Sequence, residues 1–317
     1  MLIVPFISRL RRRFGRPPLA GLVVLAALSC VSAQGAVVAV VLSDDTAPYQ
    51  EATAAVEAAL RPGHTVVRVQ AGKLAISGGA LSRASVIVTV GVKAADLIAA
   101  QGGTTPVLAV LVTEDWYQSR GRTRLGSGGR SVGAVVLEQP LSRQLRLIRS
   151  AFPAAGKIGV VVSPRNAGML ETMQAAAEAE GLVLVGAVAE SETALLPTLV
   201  NVLKEADLLL AVPDAEALNR NTVQSVLMTT YRYRDPMVGY SQALSRAGAL
   251  VSLYSSPEQV GRQAGELTAR VLNGSKLPGL QWPRYFSVSV NEHVARSLGI
   301  DVPAEEALLN GLGGGND

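Results

Sequence analysis

Cysteine and histidine are nearly missing from this chain of 317 residues, which has one cysteine, Cys30, and two histidines, His64 and His293. That inventory cannot build a disulfide framework or a Cys/His zinc site. Aromatic residues supply only 4% and charged residues 17%, against 49% apolar. Such a chain is too apolar for disorder, and its apolar runs are too finely interrupted for a polytopic membrane protein. A nucleophilic enzyme also lacks its parts: there is no G-x-S-x-G elbow, and neither histidine stands beside a serine in one. The Gly-rich stretch Arg120 to Arg130 holds Arg120, Arg122, Arg124 and Arg130 and no acid. It lacks the G-x-x-x-x-G-K-[ST] of a phosphate loop, so it reads as a flexible, solvated loop. No acid, base and nucleophile set emerges, and the expectation is no enzyme, no catalytic residue, no metal and no cofactor.

The formal net charge of +4 invites a nucleic-acid partner until the charges are placed. Residues 1–33 carry Arg9, Arg11, Arg12, Arg13 and Arg16 and no acid, then an apolar run from Leu19 to Leu28, then Val31-Ser32-Ala33. A basic start, a short apolar core and small residues at a cleavage point describe an export signal. The run is too short for a transmembrane helix of about 20 residues. Arg11-Arg12-Arg13-Phe14 fits a twin-arginine signal loosely, which leaves the export route open. Ala27-Leu28-Ser29-Cys30 fits a lipobox loosely, with Cys30 as a possible lipid anchor. Cleavage after Ala33 takes five of the 29 basic residues and leaves 24 against 25 acidic ones, a nearly neutral protein. The expected location is the periplasm. No helix-turn-helix precedes Val37, and no nucleic acid is expected as a partner.

From Val37 onward, short continuous apolar runs alternate with amphipathic stretches. Val37–Leu42, Thr65–Val69, Val86–Val90, Val107–Val112 and Val132–Leu137 lack a period of two, as befits strands buried on both faces of a parallel sheet. Pro48–Leu60 and Lys93–Gln101 between them read as helices. The plan repeats with strands at Lys157–Val162, Val183–Val188, Asp207–Val212 and Pro236–Tyr240, and helices at Arg165–Glu180, Thr193–Glu205 and Ala215–Tyr231. The remainder holds a strand at Ala249–Tyr254, a helix from Ser256-Pro257-Glu258-Gln259 to Asn273, a strand at Phe286–Val290 and a short helix at Glu292–Leu298. It is too short for a third domain. It suits a chain crossing back to complete two α/β lobes with three crossings and a cleft between them.

In an open α/β sheet a ligand lies beyond the carboxyl ends of the strands, where loops and helix N-termini present free N–H groups. This places Asp44, Asp45, Gly91, Lys93, Thr113, Glu114, Ser163, Asn166, Asp214 and Tyr240 as ligand-binding candidates. They are rich in hydroxyls and carboxylates, which suits hydrogen bonding to a small polar solute better than proton transfer. Ser163 and Asp214, each taken singly, read as N-caps before they read as ligand contacts, and Asp44 and Asp45 as caps or as partners for an α-ammonium group. Glu114-Asp115-Trp116-Tyr117 combines acids with stacking surface, or is a loop packed by its own aromatics. Gly261 and Gly265 make a small-xxx-small pair on a helix whose Glu258, Arg262, Gln263 and Glu266 fit close packing on its own sheet, not a membrane.

Several runs together carry a resemblance. Val132-Gly133-Ala134-Val135 through Pro140, Gln144-Leu145, Ile148, Phe152-Pro153 and Lys157-Ile158-Gly159-Val160-Val161 come first. Ala211-Val212-Pro213-Asp214, Pro236-Met237-Val238-Gly239, Ala247-Gly248-Ala249-Leu250, Gly261-Arg262-Gln263-Ala264 and Asn291 with Gly299-Ile300 follow in order. Over residues 37–300 the chain resembles the ABC-transporter substrate-binding proteins related to tryptophan/tyrosine-type solute-binding proteins. The resemblance implies a type I periplasmic binding fold, two Rossmann-like lobes with three hinge crossings closing on a small molecule that an inner-membrane ABC permease receives. It implies lobe 1 over residues 37–136 plus 248–275 and lobe 2 over 137–247 plus 280–303; a flexible tail at 304–317 and a monomer are expected besides. The chain departs from the family at Lys93 and at Thr113-Glu114-Asp115-Trp116, which changes what the cleft holds. The expected function is binding of an amino-acid-like solute for uptake; the alternative is a periplasmic sensor of the same fold that signals to a membrane receptor or kinase without transport.

Overall fold

The Val- and Ile-rich runs fold into two six-stranded sheets. The computed structural model describes residues 35–60, 63–73 and 78–313. The expected export signal, with Cys30, lies outside the described residues. Among the described residues no helix is long and apolar enough to cross a membrane.

The strands are β1 Val37–Leu42, β2 Thr65–Gln70, β3 Val86–Val90, β4 Val107–Val112, β5 Val132–Val136, β6 Lys157–Val162, β7 Val183–Val188, β8 Leu208–Leu210, β9 Met237–Gly239, β10 Val251–Tyr254, β11 Leu280–Gln281 and β12 Ser287–Val290. The first sheet runs β2-β1-β3-β4-β5-β11 and the second β7-β6-β8-β9-β10-β12. All pairs are parallel except β10 with β12. Each sheet is a doubly wound unit whose strand order reverses between its first and third strands, and both are covered on each face by helices. That cover is why β3 is buried throughout, as parallel strands require.

Three connections join the lobes. They run through Leu137–Pro140 after β5, through Ser255 and Ser256 after β10, and through Trp282–Phe286 between β11 and β12. Side chains tie them together: Gln139 Nε2 donates to Ser255 Oγ at 2.8 Å, and Ser255 Oγ donates to the Tyr285 carbonyl. Arg143 Nη1 donates to Gln139 Oε1 at 2.6 Å and to the Pro283 carbonyl at 2.9 Å, while its guanidinium lies 4.1 Å from the Phe286 ring centroid.

Five expectations need correction. Val251–Tyr254, assigned to lobe 1, pairs with β9 and β12 in the second sheet, and the lobe 1 share of that segment begins with helix Pro257–Leu272. Likewise β11 joins the first sheet. An apolar run identifies a strand but carries no information about its neighbour. The expected flexible tail contains helix Glu305–Gly311, whose Leu308 is 1% exposed in the core beside Phe152, and Glu305 Oε1 accepts the Val290 N–H at 2.7 Å. The helix expected from Ala215 begins at Val223, because Asn219 and Thr222 turn their side chains onto nearby backbone groups: Asn219 N–H reaches Thr222 Oγ1 at 2.9 Å and Asn221 N–H reaches Asn219 Oδ1 at 2.8 Å. Finally, Gly261 and Gly265 pack less on their own sheet than on the neighbouring helix Ala47–Leu60.

Candidate functional site

The carboxyl ends of both sheets face the cleft, and each closes its switch point with one side chain. In the first lobe Ser43 Oγ, after β1, accepts the Ala94 N–H at 3.0 Å, after β3. In the second, Asp214 Oδ2, after β8, accepts the Ser163 N–H at 2.7 Å, after β6. The same seam is pinned from opposite sides. Asp214 is 2% exposed and its Oδ1 also accepts the N–H groups of Glu216 at 3.1 Å and Ala217 at 3.2 Å. Burial pushes its carboxyl upward, but hydrogen bonds from Asn166 and from the Ser163 and Ala217 amides outweigh that and hold it below the ordinary value. The cap reading of Asp214 therefore holds, and little of its hydrogen-bonding capacity remains for a solute. Ser163 caps nothing with its side chain.

Between the lobes lies a cavity of about 240 Å³. Lobe 1 lines it with Val92, Thr113, Asp115, Trp116 and Arg120, and lobe 2 with Arg165, Asn166, Pro213, Asp214, Ala215 and Glu216. Of the ten candidates from the sequence, Thr113, Asn166 and Asp214 line it. Asp44 Oδ1 is taken by Thr46, whose N–H lies at 2.9 Å and hydroxyl at 2.7 Å; these bonds, with the Lys93 ammonium adding to them against slight burial, hold its carboxyl below the usual value. Asp45 accepts from Gln50. Lys93 is exposed at the first turn of helix Val92–Gln101. Gly91, at φ +89°, opens that helix, and a Cβ there would stand 2.6 Å from Ser43 Oγ. Tyr240 is half-buried, and burial, then the Asp214 charge, raises its hydroxyl pKa.

The lobe 1 wall depends on an irregular strand end. Leu111 takes φ +52°, and the β4–β5 register slips between Val110 and Val112. A non-glycine residue in that region costs about 1–3 kcal/mol and persists where the surroundings impose it. The bulge turns the chain so that Thr113 caps the next helical turn, its Oγ1 accepting the Trp116 N–H at 3.2 Å. Trp116 is 4% exposed, with the six-membered ring edge against Gly121; a Cβ on Gly121 would lie 2.5 Å from Trp116 Cζ3. The stretch expected to be a solvated loop is therefore structured. Tyr117–Gly121 forms a π-helical turn and Arg122–Leu125 an α-helical one, with Leu125 fully buried. Arg130, 6% exposed, donates from Nε to the Gly103 carbonyl at 2.9 Å and caps the end of helix Val92–Gln101 through the Ile98 carbonyl at 3.5 Å. Composition alone hid this, because Leu125 is a single apolar anchor among arginines and glycines.

Carboxylates gather where this wall meets the first crossing. Glu138 Oε2 accepts the Glu114 N–H at 2.9 Å, and Glu114 Oε2 accepts the Trp282 Nε1 proton at 3.2 Å. Burial, with Glu114 and Asp115 nearby, raises the Glu138 carboxyl to about 7 against two backbone hydrogen bonds that lower it. Across the cleft, Asp115 Oδ2 and Arg165 Nη2 meet at 2.7 Å, an ion pair joining the two lobes at the cavity. Arg120, Arg165 and Glu216 were not among the candidates from the sequence. Each lies a few residues past a strand end, inside the next turn, where only the fold places it on the cavity. Among the described residues no group of three or more His, Cys, Asp or Glu is arranged to hold a metal ion.

Comparison with known proteins places this geometry. The sequence profile of the family described as ABC transporter substrate binding protein matches residues 80–310. No curated protein sequence matches the chain significantly. Among solved structures, the chain is similar to a conserved domain protein from Vibrio cholerae, with 20% identity, 87% of this chain and 97% of that one covered, and a TM-score of 0.59. It is also similar to an ABC domain in complex with L-Trp from Streptococcus pneumonia, with 18% identity, coverage of 87% and 98%, and a TM-score of 0.58. The ligand-free, open structure of CD0873, a substrate binding protein with adhesive properties from Clostridium difficile, matches at 15% identity, coverage of 86% and 97%, and a TM-score of 0.67. At these identities the likeness is one of fold.

Proposed function

The chain belongs to the ABC transporter substrate-binding protein family, and on that premise we propose that it is an exported, monomeric solute receptor. It binds an amino-acid-like molecule between its lobes and delivers it to an inner-membrane ABC permease. One observation carries the reading: the 240 Å³ cavity takes its walls from both lobes, so a solute in it touches Thr113 and Trp116 on one side and Asn166 and Arg165 on the other. A ligand that contacts both lobes stabilises the closed arrangement by the contacts available only there, and a permease that reads that arrangement receives loaded receptor. The cavity is large enough for a small amino acid or organic acid. Its lining of hydroxyl, amide, charged groups and one indole face suits a polar solute with an apolar part. That a structural neighbour is described in complex with L-Trp agrees with this class.

Asp44, Gly91, Lys93 and Tyr240 remain part of the proposal as residues at the strand ends that flank the cleft. The three crossings, held by Gln139, Ser255 and Tyr285, are the hinge about which closure occurs. The test is a thermal-shift screen of the purified protein against amino acids, organic acids, sugars and polyols. A solute at 100 times its Kd raises stability by about 2.7 kcal/mol, a clear rise in Tm. Silence across the screen at millimolar concentration rejects the reading.

A further inference from the structure

We propose that Arg120 and Arg165 form a clamp across the two lobes for a carboxylate, and that Asp115 holds that carboxylate's place on Arg165. The inference rests on the solute-binding reading and names the headgroup the cleft selects.

Arg120 comes from lobe 1 and Arg165 from lobe 2, and both line the one cavity. Arg120 has no ion-pair partner among the described residues. Arg165 has one, Asp115, through a single contact from Nη2 at 2.7 Å. A guanidinium offers five N–H donors in a fork that matches both oxygens of a carboxylate, so this contact leaves most of the fork unused. Both side chains are about half exposed, at 48% for Asp115 and 56% for Arg165. An exposed ion pair of this kind shifts a population by no more than about five-fold, too little to lock two lobes together. It is weak enough to exchange.

The exchange is charge for charge. When a solute carboxylate displaces Asp115, Arg165 stays paired, and Asp115, about half exposed, turns to solvent with its charge. A neutral solute that displaced Asp115 would leave the guanidinium unpaired, which disfavours amides and sugars at this position. The cavity also supplies the complement. Glu216, on the lobe 2 wall, has no ion-pair partner among the described residues, whereas Asp214 already accepts three backbone N–H groups. A carboxylate between Arg120 and Arg165 with an ammonium group toward Glu216 pairs these three wall charges and leaves the displaced Asp115 to solvent; Trp116 lines the same cavity.

Matched ligands and four substitutions test the clamp by calorimetric titration. The probes are the common L-α-amino acids, the α-carboxamide of each one that binds, and ribose and myo-inositol as neutral solutes. The wild-type protein is expected to bind one or more amino acids and to bind the matching carboxamide at least about ten-fold more weakly. Arg120→Gln and Arg165→Gln are each expected to lose about ten-fold or more, with Arg165→Lys recovering part of the loss, because a lysine keeps the charge and not the fork. Asp115→Asn is expected to bind the same amino acid about two- to five-fold more tightly, since the competitor is gone. Weaker binding by Asp115→Asn would make the pair a closing latch and overturn its role as a stand-in. Equal affinity for acid and carboxamide overturns the clamp while leaving the solute-binding reading in place; binding of ribose or myo-inositol alone overturns the clamp and the amino-acid-like class, and leaves only an interlobe solute receptor. No response to any probe, with folding verified by circular dichroism, overturns both.

Discussion

Replacing Gly261 with alanine tests how closely the second crossing's helix must approach the first helix of lobe 1. Gly261 lies inside helix Pro257–Leu272, where alanine in place of glycine would normally stabilise by roughly 0.5–1 kcal/mol through lower unfolded-state entropy and better helix propensity. Here a Cβ would stand 2.2 Å from the Ala52 carbonyl oxygen and 2.9 Å from the Ala52 Cα, both backbone atoms of helix Ala47–Leu60. Backbone cannot swing aside, so the two helices must separate by about an ångström and loosen Val56, Val260 and Ala264, each fully buried. Overpacking of this kind costs about 1–3 kcal/mol, and an approach of 2.2 Å to backbone belongs near the upper figure, of which the propensity gain offsets about a third. The expected net is a loss of about 1–2 kcal/mol in urea unfolding, with an unchanged m-value. Gly168 is the control: it has φ −64° and nothing within 4 Å of its Cβ position, so Gly168→Ala should be neutral or stabilise by up to about 1 kcal/mol. A Gly261→Ala protein as stable as the wild type would refute the close approach, and with it the argument that glycine stands there for packing.

Glu138 gives a pH signature. Its folded pKa, raised to about 7, exceeds the ordinary value of 4.5, so the folded protein binds more protons than the unfolded chain between those values. Stability contributed by this group is therefore greatest below pH 4.5 and is lost as pH rises through 7; the ceiling is about 3 kcal/mol, reduced by solvent because Glu138 is partly exposed. Glu138→Gln should flatten the stability profile over that window, and an unaltered slope would reject the assignment. Leu308→Ala should cost about 2–5 kcal/mol in chemical denaturation, since the side chain is 1% exposed; a loss under about 0.5 kcal/mol would mean that the last helix does not belong to the core. Ser255→Ala removes the hydroxyl shared by all three crossings and should cost about 1–2 kcal/mol, with faster amide exchange at residues 137–140 and 282–286. Exchange confined to the substituted loop would show that the crossings are not coupled.

Much of the architecture is readable before any coordinates, because a strand buried on both faces has to be an unbroken apolar run. Val37–Leu42, Val86–Val90, Val107–Val112 and Lys157–Val162 begin and end where such runs do. Helix Glu292–Leu298 follows its Asn291 cap and ends at Gly299 in the left-handed region, signals local enough to stand in the sequence. The site is less legible. Asp214 is readable as a cap because a cap acts over two or three residues, and its bond to the Ser163 amide is not, since 51 residues separate them. Arg130 looks like one more arginine of a solvated loop, yet it is buried against carbonyls that the chain left behind near residue 100.

By itself the sequence determined that this is a two-lobe α/β protein, because periodicity and caps are local properties. Tertiary structure decided which sheet each late strand joins, that the C-terminal segment is core, and that Asp115 of one lobe meets Arg165 of the other. Those facts depend on pairing between segments tens of residues apart, and backbone hydrogen bonding is the same whatever strand supplies it. A run of valines can announce a strand but not its partner. The charges at the end of that strand acquire a role only when the partner lobe closes over them.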